Sequence, residues 1–378
     1  MAETRDLNRL IHELNAGLPP ESGADEITRL TTWLETLVDH KGSDLLLVAG
    51  APASIRVDGR VSFLREEPLS AEEIEEAVLP ALSARARSVY GQERIADASF
   101  RIQRLGRFRI NLHRERGRAA ATVRALPAEP PRLATLNLPA AVESLTRLPR
   151  GLVIVGGPTG SGKTTTLAAL VDEINRRDPR HIVTIEDPIE YEHGHRKSIV
   201  EQVEIGADAP DFPTALRAAM RQAPDVLVVG EMRDSETMRI ALAAAETGHL
   251  VFSTVHTTDV ASTVSRMADS FPLERQPTIR QELSMALAAV LTQTLLPRKG
   301  GGRVPASELL VVGYGARQHI RKNALQHLHQ EIALTRKAGS ISLEESLARL
   351  VKEDLVEAEE ARGRAAHPDE FENLLRAV

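Results

Sequence analysis

Gly157-Pro158-Thr159-Gly160-Ser161-Gly162-Lys163-Thr164 decides how this chain is read. The octet follows the apolar run Gly151-Leu152-Val153-Ile154-Val155 and opens Thr165-Thr166-Leu167-Ala168-Ala169-Leu170-Val171, the strand–loop–helix context that a phosphate-binding loop requires. Glycine is needed because the backbone must bend tightly and bring its N–H groups against phosphate oxygens. The helix expected from Gly162 adds unpaired N–H groups and the positive end of its dipole. Lys163 would reach the β- and γ-phosphates, and the Thr164 hydroxyl would bind Mg²⁺. The candidate nucleotide-binding residues are therefore Gly157, Pro158, Thr159, Gly160, Ser161, Gly162, Lys163, Thr164 and Thr165. A glycine-rich turn that binds nothing has no need of Gly-Lys-Thr in register after a strand. The chain is expected to bind a nucleoside triphosphate, with ATP and Mg²⁺ as its cofactors.

Composition narrows the class. A length of 378 residues suggests two or three domains with a real core, and 42% hydrophobic with 26% charged residues is ordinary for a globular protein. The absence of cysteine excludes disulfides, iron–sulfur clusters and cysteine zinc sites. No apolar run approaches the ~20 residues that cross a bilayer. Met1-Ala2-Glu3-Thr4-Arg5-Asp6 has no apolar core of a secretory signal, so a cytoplasmic location is expected. A net charge of −6 argues against direct nucleic-acid binding.

The pattern along the chain is α/β. Residues 1–30 form a weak N-terminal extension with a short helix expected over Leu7–Leu14, and Ile27, Leu30, Leu34, Leu37 and Val38 then carry helical spacing. Strands are expected at Asp44–Val48, Ser54–Val57, Phe100–Ile102, Phe108–His113 and Ala119–Arg124, with Asp58-Gly59 as a hairpin turn and an acidic helix over Ala71–Leu82. This α+β domain spans 31–126, and a linker, 127–137, holds Pro127-Ala128-Glu129-Pro130-Pro131. From 138 to 300 strands alternate with helices, as in a largely parallel sheet; the strand candidates are Leu152–Val155, His181–Ile185, Val226–Val229 and Leu250–Thr254. Residues 301–378 are read as mostly helical.

Further segments carry chemistry. Asp225-Val226-Leu227-Val228-Val229-Gly230-Glu231 reads as a buried parallel strand whose terminal carboxylate, Glu231, faces the phosphates and supports Mg²⁺. Thr184-Ile185-Glu186-Asp187-Pro188-Ile189-Glu190 would be only a solvated acidic loop in isolation; beside a Mg²⁺–triphosphate, Glu186 becomes the candidate base that orients water. In the run Glu246–Asp259, His256 follows a strand on the edge where ligands bind, a position for a γ-phosphate contact. Seven arginines between residues 101 and 118, Arg109 and Arg116 among them, face one local acid, Glu115. They are either a solvated strand face or arginine fingers acting across a subunit boundary. His193, His195, His319, His327 and His329 lie in separate segments without companion cysteines, which argues against a metal site.

In this order the motifs resemble those of the PilT-like retraction ATPases of type IV pili, within the secretion-ATPase superfamily. The family's phosphate loop matches Gly157–Thr164, its Asp box Thr184–Tyr191, its Walker B motif Asp225–Asp234 and its His box Thr247–Thr257. Gly42-Ser43-Asp44-Leu45, Ile55–Gly59 and Gly106–Asn111 extend the likeness to about residues 30–365, and Arg109 and Arg116 align with family arginines. The resemblance implies a RecA-like P-loop ATPase domain, an N-terminal α+β PAS-like domain and a helical C-terminal region. It implies a homohexamer on the cytoplasmic face of the inner membrane, held there by a platform protein and working with paralogous pilus ATPases. Two departures stand out: Gln202-Val203-Glu204 replaces Gln-Arg-Glu, and Gly315-Ala316-Arg317-Gln318-His319-Ile320-Arg321 has alanine at the first apolar position of the retraction motif. Ala366–Phe371 resembles the tail of PilU-type accessory ATPases. The expected function is pilus retraction. Assembly or secretion in the opposite sense, and a weakly hydrolytic accessory paralogue, are the alternatives.

Overall fold

The computed structural model describes residues 28–64 and 67–376; the helix expected over Leu7–Leu14 and nearly all of the extension lie outside them. The chain divides into two compact units between Glu129 and Pro130.

In the first unit, strands β1 (Asp44–Val48), β2 (Ser54–Val57), β3 (Arg60–Phe63), β4 (Ala96–Ile102), β5 (Gly106–Glu115) and β6 (Arg118–Ala125) form an antiparallel sheet in the order β3-β2-β1-β6-β5-β4. Two tight hairpins have positive φ at both central residues, Asp58 (48°) with Gly59 (78°) and Arg116 (47°) with Gly117 (77°). Such turns match the right-handed twist of the strands they join, and the second puts Arg116 at a hairpin tip. The helix Thr28–Asp39 buries Leu30, Leu34 and Leu37 of the expected face and Trp33 beside them, while Val38, expected on that face, is exposed. The acidic helix is shorter than expected, Ala71–Val78. A reciprocal Ser70–Glu73 capping box starts it, and Pro80, which has no N–H to give, falls in the 3₁₀ turn that ends it. Strand β3, whose Arg60-Val61-Ser62-Phe63 alternates polar and apolar after the Asp58-Gly59 turn, and the helix Ala84–Glu93 are absent from the expected elements.

The second unit has seven strands in the order β13-β12-β7-β11-β10-β8-β9: β7 (Gly151–Gly156), β8 (His181–Glu186), β9 (Ile199–Glu204), β10 (Val226–Val229), β11 (Leu250–Val255), β12 (Leu287–Pro297) and β13 (Arg303–Val311). All neighbours are parallel except β12 and β13. Alternate residues of β7 serve opposite cores: Leu152 and Ile154 pack with Met238, Leu242 and Val264, while Val153 and Val155 pack with Leu167, Leu170 and Ile174. Both faces of the sheet are thus covered, which is why its strands read as continuous apolar runs. The boundary expected at residue 300 falls inside the β12–β13 hairpin. Gly300, Gly301 and Gly302 have φ of 83°, 106° and 77° and make its turn, and the sheet continues to Val311.

Candidate active site

Four parallel strands, β7, β11, β10 and β8, stand side by side and end on one edge of the sheet. Each delivers one expected element there: the phosphate loop after β7, His256 after β11, Glu231 after β10 and Glu186 at the end of β8. The close pass of β10 against β8 depends on Gly230, because a Cβ there would lie 3.2 Å from the Ile185 carbonyl oxygen.

The phosphate loop is built as its glycines require. Gly157 has φ of 148°, and a Cβ on it would fall 2.3 Å from Ser161 Oγ and 2.5 Å from the Gln293 carbonyl oxygen. Gly162, in left-handed conformation, caps the helix Lys163–Arg177, and Thr164 lies in that helix's first turn. Lys163 is buried, and its Nζ donates to the carbonyls of Gly157 at 2.8 Å and Pro158 at 3.0 Å. Burial pushes its pKa below the ordinary lysine value, while Glu231 and Glu190 pull the other way. Ser161 Oγ is buried with no hydrogen-bond partner among the described residues. A buried cation and an orphaned hydroxyl in a glycine cradle fit a polyphosphate.

Glu186 is partly buried and accepts hydrogen bonds from Thr184 Oγ1 at 2.7 Å and Gln202 Nε2 at 3.1 Å. Burial raises its pKa against the pull of those two donors. The Glu231 carboxylate pairs with Arg233 and lies 3.6 Å from His256 Nε2. Carboxylate and hydroxyl oxygens are the donors that Mg²⁺ selects, so Glu231 and Thr164 suit the metal chemically.

Arg109 and Arg116 belong to the first unit. Arg109 pairs with Asp97 at 3.4 Å, and Arg116, 83% exposed, pairs with Glu115 at 2.9 Å. The arginine run is less one-sided than its local sequence suggests, since Arg114 also reaches Glu75 at 2.6 Å. In the C-terminal motif, Arg317 donates from Nη1 to the carbonyls of Ser284 at 2.5 Å and Met285 at 2.8 Å, tying down the end of the helix Gln276–Ala286. Arg321 is exposed.

Sequence reasoning missed Gln293 on β12. Its Nε2 donates to the Ser161 carbonyl at 2.7 Å and its Oε1 accepts from Thr166 Oγ1 at 2.9 Å, bracing both ends of the loop-to-helix turn. The available signal was the polar triplet Thr292-Gln293-Thr294 between Val290-Leu291 and Leu295-Leu296. Gln202, which also holds the Tyr191 carbonyl at 2.9 Å, was seen only as part of a motif.

Comparison with known proteins places this geometry in context. A family model described as type II/IV secretion system protein matches residues 121–353. The type IV pilus retraction ATPase PilT of Pseudomonas aeruginosa is 40% identical over 342 residues, covering 90% of this chain and 99% of the relative. The type IV pilus ATPase PilU of the same organism is 35% identical over 342 residues, covering 90% and 89%. The crystal structure of the pilus retraction motor PilT with bound ADP aligns with a TM-score of 0.85 at 42% identity, covering 91% of this chain and 99% of that one.

Proposed function

Because this chain belongs to the type II/IV secretion system protein family, we propose that it is the ATP-hydrolysing motor that retracts a type IV pilus and so drives twitching motility. One observation carries this reading: the retraction ATPase PilT is 40% identical over 99% of its length, above the 35% of the pilus ATPase PilU.

In this reading Lys163 exchanges its two loop carbonyls for the β- and γ-phosphates, and Gly157 to Thr165 supply backbone and hydroxyl donors. Thr164 and Glu231 hold Mg²⁺, which when bound neutralises phosphate charge and polarises the transferring group. Glu186 accepts the proton of the attacking water, and His256 contacts the γ-phosphate and reports its loss. Arg109 and Arg116 reach the nucleotide of a neighbouring subunit in a homohexamer. The ring works at the cytoplasmic face of the inner membrane through a platform protein. The 35% identity to PilU supports a second arrangement, in which this chain is the accessory ATPase of a mixed motor.

Deleting the gene in its host tests the direction of work. Hyperpiliated cells that do not twitch are expected, and bald cells would assign the motor to assembly instead. For the mechanism, Arg321→Ala is the clean probe of coupling, since Arg317 already has a structural task. It should leave the ATPase rate of the purified protein intact and abolish twitching.

A further inference from the structure

His329, His367 and Glu370 come together although they belong to two separate helices. His367 precedes the helix Pro368–Arg376 and Glu370 stands three residues later, a spacing that places both on one face. His329 lies at the second position of the helix Leu328–Leu334. One ligand atom from each of the three lies within 4.8 Å of the other two. His329 Nε2 is 3.2 Å from Glu370 Oε2, and the two imidazole rings lie tilted by 36° with centroids 4.5 Å apart.

A fourth residue stands behind them. Glu344 is 1% exposed; its Oε1 accepts from the His367 backbone N–H at 2.9 Å and lies 3.4 Å from His367 Nδ1. A buried carboxylate against one nitrogen of an imidazole is the usual outer support of a metal-bound histidine, fixing its tautomer and ring plane. Two imidazoles and one carboxylate make a borderline donor set that suits Zn²⁺ better than Mg²⁺ or Ca²⁺. Tetrahedral zinc, with ligands about 2.0–2.1 Å away, needs donor atoms about 3.4 Å apart. Rotation of the exposed His367 side chain and the half-buried His329 and Glu370 would close that gap, at most about 1.4 Å.

We propose that His329, His367 and Glu370, oriented by Glu344, bind a transition-metal ion of the Zn²⁺ type that fastens the helix Pro368–Arg376 to the helix Leu328–Leu334. A solvent molecule completes the coordination, as the exposure of His329 (37%) and His367 (55%) allows. The same two histidines line a cavity of about 540 Å³ whose wall also includes Pro158 of the phosphate loop and Gln293 that braces it. Thr164 and Glu231, proposed for the catalytic Mg²⁺, do not line that cavity, so the two metals are separate.

The test uses the full chain, stripped with chelator, desalted and free of nucleotide. Calorimetric titration with Zn²⁺ should give one equivalent of tight binding, and Co²⁺ should give the visible absorption of a tetrahedral centre. Zn²⁺ at a hundredfold excess over Kd should raise Tm by about 3–5 °C. Glu370→Gln should weaken binding at least tenfold, and His329→Ala with His367→Ala should abolish it, with far-ultraviolet circular dichroism confirming the fold. Should the double variant unfold, Glu370→Gln and single His367→Asn carry the test. Zn²⁺ binding of equal affinity and stoichiometry in the variants, or none in the parent protein, overturns the proposal.

Discussion

Glu231 and His256 leave the ends of adjacent parallel strands and meet, His256 Nε2 lying 3.6 Å from a Glu231 carboxylate oxygen. Arg233 shares the same carboxylate. Both partners are mostly exposed, at 51% for His256 and 71% for Arg233, whereas Glu231 is only 14% exposed. The carboxylate is therefore the more enclosed group, and its two partners are free to swing away. In the proposed mechanism a metal–nucleotide complex takes their place, freeing His256 to face the γ-phosphate.

The buried Lys163 and the buried end of Glu186 should separate binding from chemistry. Lys163→Ala removes the charge on the phosphates and should abolish both ATP binding and turnover. Glu186→Gln preserves shape and an acceptor but not the base, so turnover should fall by about 10²–10⁴ while binding persists. Parallel measurements with a fluorescent ATP analogue and a phosphate-release assay decide this. A normal rate in purified Glu186→Gln would remove it from the catalytic role.

Gln293 should matter as much as a motif residue. Gln293→Leu deprives the Ser161 carbonyl and the Thr166 hydroxyl of their partner, at about 1–3 kcal/mol for each buried group left unpaired. We expect a clear drop in Tm and about tenfold weaker ATP binding, read by thermal melting and equilibrium titration. Unchanged affinity would mean that the loop holds its shape without β12.

The shared-site proposal predicts that Arg109→Ala or Arg116→Ala lowers the ATPase rate by 10³-fold or more, the usual contribution of a trans arginine being about 10³–10⁵. Stability should barely change, since exposed ion pairs contribute about 0–1 kcal/mol. Co-expression with Lys163→Ala should restore part of the activity, because an arginine-intact subunit then serves a neighbour whose Lys163 is intact. Normal hydrolysis by both single variants would make the cluster a solvated face.

Glu308 gives a pH signature. Burial raises its pKa to about 6 from 4.5, against the opposing pull of the Val260 N–H bonded to it at 2.8 Å. Between those values the native state holds the proton more tightly than the unfolded chain, so stability falls as pH rises through the window, by about 2 kcal/mol in all. Glu308→Gln keeps an oxygen for Val260 and loses the titration. It should equal the parent protein near pH 3.5, below both values, and exceed it at pH 8 by about 1–2 kcal/mol in denaturant melts. Identical stability curves at both pH values would show that Glu308 ionises without cost.

The four strands that carry the site were legible because each is a short apolar run buried on both faces, such as Val226–Val229. The phosphate loop announced itself by glycines that geometry does require. What was not legible depends on distant partners. The β12–β13 hairpin was hidden because three consecutive glycines read as a domain border when they are a turn. Glu186 was visible, but not the Gln202 amide that holds it. Arg109 finds Asp97 and Arg114 finds Glu75, acids outside the arginine run, so local charge counting overstated its excess. His367 and His329 are 38 positions apart by their numbers, and no spacing rule joins them.

The brace from Gln293 to Ser161 spans 132 positions of chain and so imposes an order on synthesis. As the protein leaves the ribosome, the phosphate loop, Glu186, Glu231 and His256 all emerge before β12 does. Until that strand is made and inserted beside β7, the nascent chain carries every motif residue and still lacks the clamp that shapes the loop. Long-range closure of this kind is slow because chain entropy must be overcome first. If nucleotide binding needs that clamp, as the Gln293→Leu test asks, capture comes late in the maturation of the polypeptide, and a fragment cut after the helix Gln276–Ala286 should carry the phosphate loop and bind nucleotide weakly.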